Sequence, residues 1–412
     1  MKSGRAEKGR GSQRGILIHG GDLILPDRVL PDGAVLVEGR RIAFAGPRAE
    51  LPAVARRASQ RFDAGGGLIC PALVELHIHG AGGNSFHNPA EGSLEAVARF
   101  LSSRGIGVFL PTMVPHPEYL EAAADQIGRH RPASRIPGIY LEGPFISREK
   151  RGGIPEELVR PFAQHDLRDL CEAADERIRV MTFAPEIPGS LDLLADLRGR
   201  AILPALGHSS ASLPDLRRFE LGLEGAENGA LLVTHLFNAM TGVSHKDPGL
   251  AHWALLRNDL HTELNVDGTH VHPAAVELAL RMRPRERTIL ISDAVVAAGL
   301  EENASSAGEL YHGPRRAVLR GDGVYYREEG TLIGSRRLVK DVVARCVRDH
   351  GIPVWEAVGM ASRVPLRMLG LTCKGALEPG MDADISVLDR ELGHCSLQVF
   401  EGSVLHPLLE KT

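Results

Sequence analysis

The feature that most limits how this chain can fold is a recurrence. Strand-like apolar runs return about eight times in its middle, each separated from the next by a segment of helical spacing. The runs read LVELHIH (73–79), IGVFLPT (106–112), GIYLEG (138–143), IRVMTFAPE (178–186), ILPALGHS (202–209), LLVTHLF (231–237), TELNVDGTH (262–270) and TILISDA (288–294). Segments such as SLEAVARFLSSR and PAAVELALRMR lie between them. Strand–helix units in this number predict a (β/α)8 TIM-type barrel, whose buried parallel strands are apolar along their length. These runs are apolar except where they end.

The exceptions carry the chemistry. His77 and His79 close the first run, Glu142 the third, His208 the fifth, His235 the sixth and Asp293 the eighth. In a barrel all these ends meet at one face, where barrel active sites lie. A single His-x-His pair means little in a chain with 18 histidines. Buried histidines at strand ends are often just hydrogen-bonded structure, and Asp293 has a rival reading as the N-cap of a helix over AVVAAGL. Several such coincidences at one barrel mouth make that rival account weaker than a site.

Positions i and i+2 of a strand share a face, so His77 and His79 can reach one cation together. Glu142 offers oxygens able to bridge two cations, and His208 and His235 add imidazoles. Nitrogen and carboxylate ligands with open positions suit one or two divalent ions, with zinc or iron expected. Such an ion lowers the pKa of bound water from about 15.7 to about 7. Asp293, as a further ligand and acid/base, can move the proton to a leaving amine. The expectation is metal-assisted hydrolysis of an amide or related bond.

Short β-rich runs frame the barrel. GILIHGGDLIL and GAVLVEGRRIAFAG precede it, and GALEPGMDADISVLDR and LQVFEGSVLH follow it. Residues 15–68 and 373–412 are therefore expected to form one small β-sandwich domain, with 69–372 as the barrel and 1–14 as a disordered tail. After the eighth run, ELYHGPRRAVLRGDGVYYREEGTLIGS suggests short strands inserted over the mouth, followed by helices around 336–350 and 354–369. The net charge of −4 gives no reason to expect nucleic acid, and no apolar run reaches membrane-span length. Five scattered cysteines without a C-x-x-C fit reduced thiols in a cytoplasm.

The set PALVELHIHGAGG, YLEGPFIS, LGHSSA, VTHLFNAMTGVSHKDPG, VDGTHVHP, ISDAVVAAG and GTLIGS resembles the N-acetylglucosamine-6-phosphate deacetylases of the amidohydrolase superfamily. The match runs from about residue 65 to KGALEPGMDADISVLD, in order. The resemblance implies a barrel with a small β-sandwich built from both termini, a homodimer, and cleavage of the acetamide of a 6-phosphorylated amino sugar. It implies Glu142, His208 and His235 as principal metal ligands, His77 and His79 as a pair for a second metal, and Asp293 as acid/base. It further implies sugar contacts at Gly153, Asn238, Ala239, His270, Leu332, Ile333 and Gly334. Three positions depart from the pattern. Glu75 stands where members usually carry an aspartate ahead of the first metal histidine. Ile154 stands where members carry a histidine that holds the substrate, and isoleucine has no donor. Lys246 stands where members carry an arginine that meets the phosphate across the dimer, so the charge stays but the bidentate geometry goes. Hydrolysis of N-acetylglucosamine 6-phosphate to glucosamine 6-phosphate and acetate is the leading expectation. A deacetylase for another N-acetylated compound, or a non-catalytic paralogue that binds metal and sugar, are the alternatives.

Overall fold

The computed structural model describes residues 15–87, 92–129, 135–223, 230–300 and 310–407. The expected tail at 1–14 lies outside the described residues. Eight parallel strands form one sheet in sequence order: β1 (Leu73–Ile78), β2 (Ile106–Met113), β3 (Ile139–Glu142), β4 (Ile178–Phe183), β5 (Leu203–Leu206), β6 (Leu232–Val233), β7 (His261–Asn265) and β8 (Thr288–Ile291). The ring closes just past β8. Ile78 bridges to Ala294, His79 N–H donates to Ala294 O at 2.7 Å, and Asp293 N–H donates to His77 O at 3.2 Å. The fold is the TIM-type barrel the periodicity predicts.

The barrel is packed inside. Leu76, Leu110, Tyr140, Val180, Ala205, Leu232, Ile289 and Ile291 form one buried cluster, to which Val364 and Leu369 add from the helix Arg363–Met368 and its C-terminal end. Tyr140 Oη and Thr182 Oγ1 both meet Thr234 Oγ1, at 2.9 and 2.8 Å, so these buried hydroxyls satisfy one another. The outer helices are amphipathic. The helix Ser93–Ser102 buries Leu94, Val97, Ala98 and Leu101, at helical spacing, against the sheet.

A second sheet joins the two ends of the chain. Its order is Ser403–Pro407, Cys395–Phe400, Ile385–Leu388, Leu68–Pro71, Ile16–Ile24, Val29–Glu38 and Arg41–Pro47, with Gln60–Asp63 also paired to Ile16–Ile24. It wraps around its own core, where Val35, Val37 and Phe62 pack with Ile385, Val387 and Leu397. One residue separates its strand Leu68–Pro71 from β1, so the sheet fixes where the barrel begins. Lys374, buried, anchors the C-terminal side through Asp384 at 2.5 Å and Asp382 at 3.1 Å.

The insertion after β8 is a four-stranded antiparallel sheet, Leu310–His312, Arg315–Arg320, Gly323–Tyr326 and Leu332–Ser335. It attaches to the mouth where Ser335 N–H donates to Asp293 O at 2.8 Å. The segment after it forms three helices, Val339–His350, Val354–Met360 and Arg363–Met368, where two were expected. No helix among the described residues is long and apolar enough to cross a membrane.

The hydrogen-bonded ladders are shorter than the apolar runs. Strands β5, β6 and β8 end two residues before His208, His235 and Asp293. The physical reason is local. These three residues have φ of +46°, +27° and +51°, and a left-handed backbone leaves the pleat. Among the described residues, the stretch 294–300 after Asp293 forms a turn rather than a helix, so its rival reading as a helix N-cap falls.

Candidate active site and metal centre

Two groups of potential ligands abut at the barrel mouth: His77, His79 and Asp293, and Glu142, His208 and His235. Glu142 Oε1 lies 3.2 Å from both His208 Nε2 and His235 Nε2, and 3.4 Å from His77 Nε2. Its other oxygen is 3.5 Å from His79 Nε2, and Asp293 Oδ1 is 3.4 Å from the same nitrogen. Glu142 thus stands between the groups. Holding three non-glycine residues at positive φ costs on the order of 1–3 kcal/mol each, a kind of strain that clusters at active sites.

The outward nitrogens are tied down in a way that frees the inward ones. His79 Nδ1 meets Thr112 O at 3.1 Å, and His208 Nδ1 meets Lys150 O at 2.8 Å. A carbonyl only accepts, so both Nδ1 atoms carry the proton and both Nε2 atoms are left with lone pairs. His77 Nδ1 meets Glu263 Oε2 at 3.0 Å, and the same oxygen accepts from His235 N–H at 2.9 Å. His77 Nε2 is buried with no hydrogen-bond partner among the described residues. His208 Nε2 and His235 Nε2 stand 3.1 Å apart, both facing Glu142 Oε1. This donor set fits a divalent metal ion, and its carboxylate- and carbonyl-backed imidazoles are the usual support of such sites.

The charges point the same way. Burial disfavours ionised Glu142, yet His77 and His208 hold its carboxyl well below the usual range. Asp293 is likewise held low against burial, by His79, His77 and His270. Burial lowers the His77 pKa, but Glu263 and Glu142 override it and push the ring up to about 10. Ionised carboxylates concentrated here favour positive charge, whether protons or a metal. Asp293 Oδ2 also lies 3.3 Å from His270 Nε2, and His270 Nδ1 is held by Asp267 Oδ2 at 2.8 Å.

A cavity of about 270 Å³ opens over these groups. Residues 68–404 match the Amidohydrolase family. This chain is an amidohydrolase. Within that family it belongs with the N-acetylglucosamine-6-phosphate deacetylases the motifs resemble. The amidohydrolase is 34% identical over 333 residues to an N-acetylgalactosamine-6-phosphate deacetylase of Escherichia coli O157:H7, covering 79% of this chain and 84% of that one. It is 33% identical over 401 residues to the human N-acetylglucosamine-6-phosphate deacetylase, with 91% and 90% covered. Among solved structures, the N-acetyl-D-glucosamine-6-phosphate deacetylase of Mycobacterium smegmatis in complex with N-acetyl-D-glucosamine-6-phosphate superposes with a TM-score of 0.83 at 25% identity. That match covers 95% of this chain and all of the other.

Of the sequence-predicted substrate positions, Gly153, Ile154, Asn238, Ala239, His270, Leu332 and Ile333 line the cavity of this amidohydrolase. Gly334 stands outside its lining. A Cβ there would come within 2.4 Å of Val295 and 2.7 Å of Asp293 O, so this glycine lets the insertion pack against the Asp293 loop. Lys246 is exposed and also outside the lining. Sequence reasoning missed His87, Val114, His312 and Thr331 on the cavity wall, and Glu263 and Asp267 behind it. Glu263 had a signal, a carboxylate within a run read as a buried barrel strand. His312 had none, since it comes from the insertion.

Proposed function

We propose that this amidohydrolase removes the acetyl group of N-acetylglucosamine 6-phosphate, giving glucosamine 6-phosphate and acetate. The observation that carries the reading is Glu142 standing between two histidine-rich groups, with the carboxylate of Asp293 beside them on a cavity wall. His77, His79, Glu142, His208, His235 and Asp293 would hold one or two divalent ions, for which zinc and iron are the candidates. When bound, the metal activates water and polarises the acetyl oxygen. Asp293 takes the proton released by the attacking water and returns it to the amine nitrogen as the C–N bond breaks. His270, itself fixed by Asp267, keeps the Asp293 carboxylate turned toward the reacting atoms. Asn238, the backbone at Gly153 and Ala239, and the Leu332–Ile333 wall orient the sugar.

The cavity lining contains no lysine or arginine among the described residues. A phosphate would therefore need its countercharge from elsewhere, which supports the partner subunit's Lys246 as its contact in a homodimer. The reading of a small-molecule amino sugar phosphate as the ligand rests on the named relatives, and a cytoplasmic setting on the scattered cysteines without a C-x-x-C.

A second reading has its own support. Ile154 gives the cavity an apolar wall with Val114, and a similar relative is named for the galactosamine isomer. The discriminating experiment reconstitutes metal-free protein with zinc or iron(II) and measures acetate from both N-acetylhexosamine 6-phosphates and their unphosphorylated forms. Acetate from the glucosamine derivative with the highest kcat/KM supports the first reading. A preference for another compound selects the second, and no acetate from any of them overturns both.

A further inference from the structure

A second histidine pair borders the cavity, apart from the six candidate ligands. His87 and His312 are both buried and both line it. His87 Nδ1 lies 2.8 Å from His312 Nε2, with the rings perpendicular. The Val114 N–H donates to His87 Nε2 at 3.2 Å.

These contacts fix where the protons are. His87 Nε2 accepts a hydrogen bond, so it has a lone pair and its ring proton sits on Nδ1. His87 Nδ1–H therefore donates to His312 Nε2, which places the remaining proton of a neutral His312 on Nδ1. A metal between the two rings is excluded by the same logic: ligation by His87 Nδ1 would force the proton onto Nε2, against the Val114 N–H. The donor at the end of this chain, His312 Nδ1, is buried and has no partner among the described residues. Buried donors without acceptors are rare and call for a physical reason.

Ile154, on the wall of the same cavity, offers no such donor. Ile154 lies in an apolar cluster with Val114, Ile146 and Val159. The insertion bearing His312 is tied to the same loop, because Tyr326 Oη donates to Gly153 O at 3.3 Å and a Cβ on Gly153 would touch Ile333 at 3.1 Å. The insertion that carries His312 is thus tied to the loop that carries Ile154.

We propose that His312 is a substrate-positioning residue that donates its Nδ1–H to an uncharged oxygen of the substrate, a carbonyl or hydroxyl, with His87 setting its tautomer. A neutral imidazole with a single free N–H suits such an oxygen better than a phosphate, which favours charged donors. The donor comes from the inserted sheet, and Ile154 on the same cavity wall supplies none.

The proposal rests on the deacetylase reading, and the experiment separates the two. His312→Leu lowers kcat/KM about 10- to 100-fold, the cost of one hydrogen bond to the reacting complex, with metal content unchanged. His312→Asn, whose amide N–H falls near the Nδ1 position, stays within about threefold of wild type. Ile154→His in the His312→Leu background recovers activity, which a purely structural role of His312 would not allow. Activity of His312→Leu within twofold of wild type, or equal losses in the Leu and Asn variants, overturns the proposal. Nitrogen-15 NMR of histidine-labelled protein gives a readout independent of turnover. It is expected to find His312 protonated on Nδ1, and protonation on Nε2 overturns the assignment even if the wild type proves inactive on every acetylated sugar phosphate and the deacetylase reading fails.

Discussion

At the scale of single residues, each side chain at the mouth has a separable task. Asp293→Asn keeps the shape but removes the base. It is expected to lower kcat about 10²- to 10⁴-fold while the protein still binds metal, checked by acetate release beside metal analysis. Glu142→Ala removes the oxygen shared by both groups and is expected to lose metal outright, read by elemental analysis after dialysis. Glu263 touches His77 but faces away from the cavity, so Glu263→Gln should weaken metal affinity about 10- to 100-fold with no change in substrate preference. Away from the site, His261 opens β7 beside Arg287, whose Nη1 is 3.3 Å from its Nε2. Burial, then Arg287 and Arg283, lower its pKa to about 4. The unfolded chain takes up this proton near pH 6.5, while the folded chain refuses it until about pH 4. Stability is therefore lost as pH falls through that window, by about 2 kcal/mol at pH 5 from this group. Urea unfolding at pH 7 and pH 5 should find a smaller loss in His261→Asn than in wild type.

At the scale of elements, the strands do less than their apolar runs suggest, and the loops after them do more. His77 and Glu142 lie within the pleat, and the period-2 argument for His77 and His79 holds because the barrel closes through the backbone of both. His208, His235 and Asp293 leave the pleat through left-handed turns that no apolar count reveals. Gly334 belongs to the same level. Its φ of +152° and the missing Cβ let the strand Leu332–Ser335 lie against the Asp293 loop. Gly334→Ala is expected to lower both thermal stability and kcat, because the clash with Val295 must push Asp293 aside. Calorimetry with acetate-release kinetics checks this, and an unchanged kcat would mean that the loop holds Asp293 without help from the insertion.

At the scale of the whole molecule, the barrel gathers the candidate ligands, the inserted sheet covers them, and the terminal sheet sets where β1 begins. The proposed phosphate contact belongs to a scale larger still. If the partner subunit's Lys246 serves each site, a mixture of Asp293→Asn and Lys246→Ala chains, each nearly inactive alone on phosphorylated substrate, regains activity when co-expressed. Random pairing of two-fold dimers gives about a quarter of the wild-type rate. No recovery, with dimers present by sedimentation, would place the phosphate contact within one chain.

The sequence by itself determined the architecture and the candidate metal ligands. Alternation of apolar runs with helical segments admits few folds, and a closed parallel barrel forces the ends of all its strands to one face. Only the tertiary structure decided which nitrogen of each imidazole points inward, since that depends on carbonyls and carboxylates such as Thr112 O and Glu263 far away in the chain. It also decided that His87 and His312, 225 positions apart, share one hydrogen bond, because an inserted sheet has no period tying it to the barrel. Periodicity is a local property of a chain, whereas the partner of a buried polar atom is set by packing between distant segments.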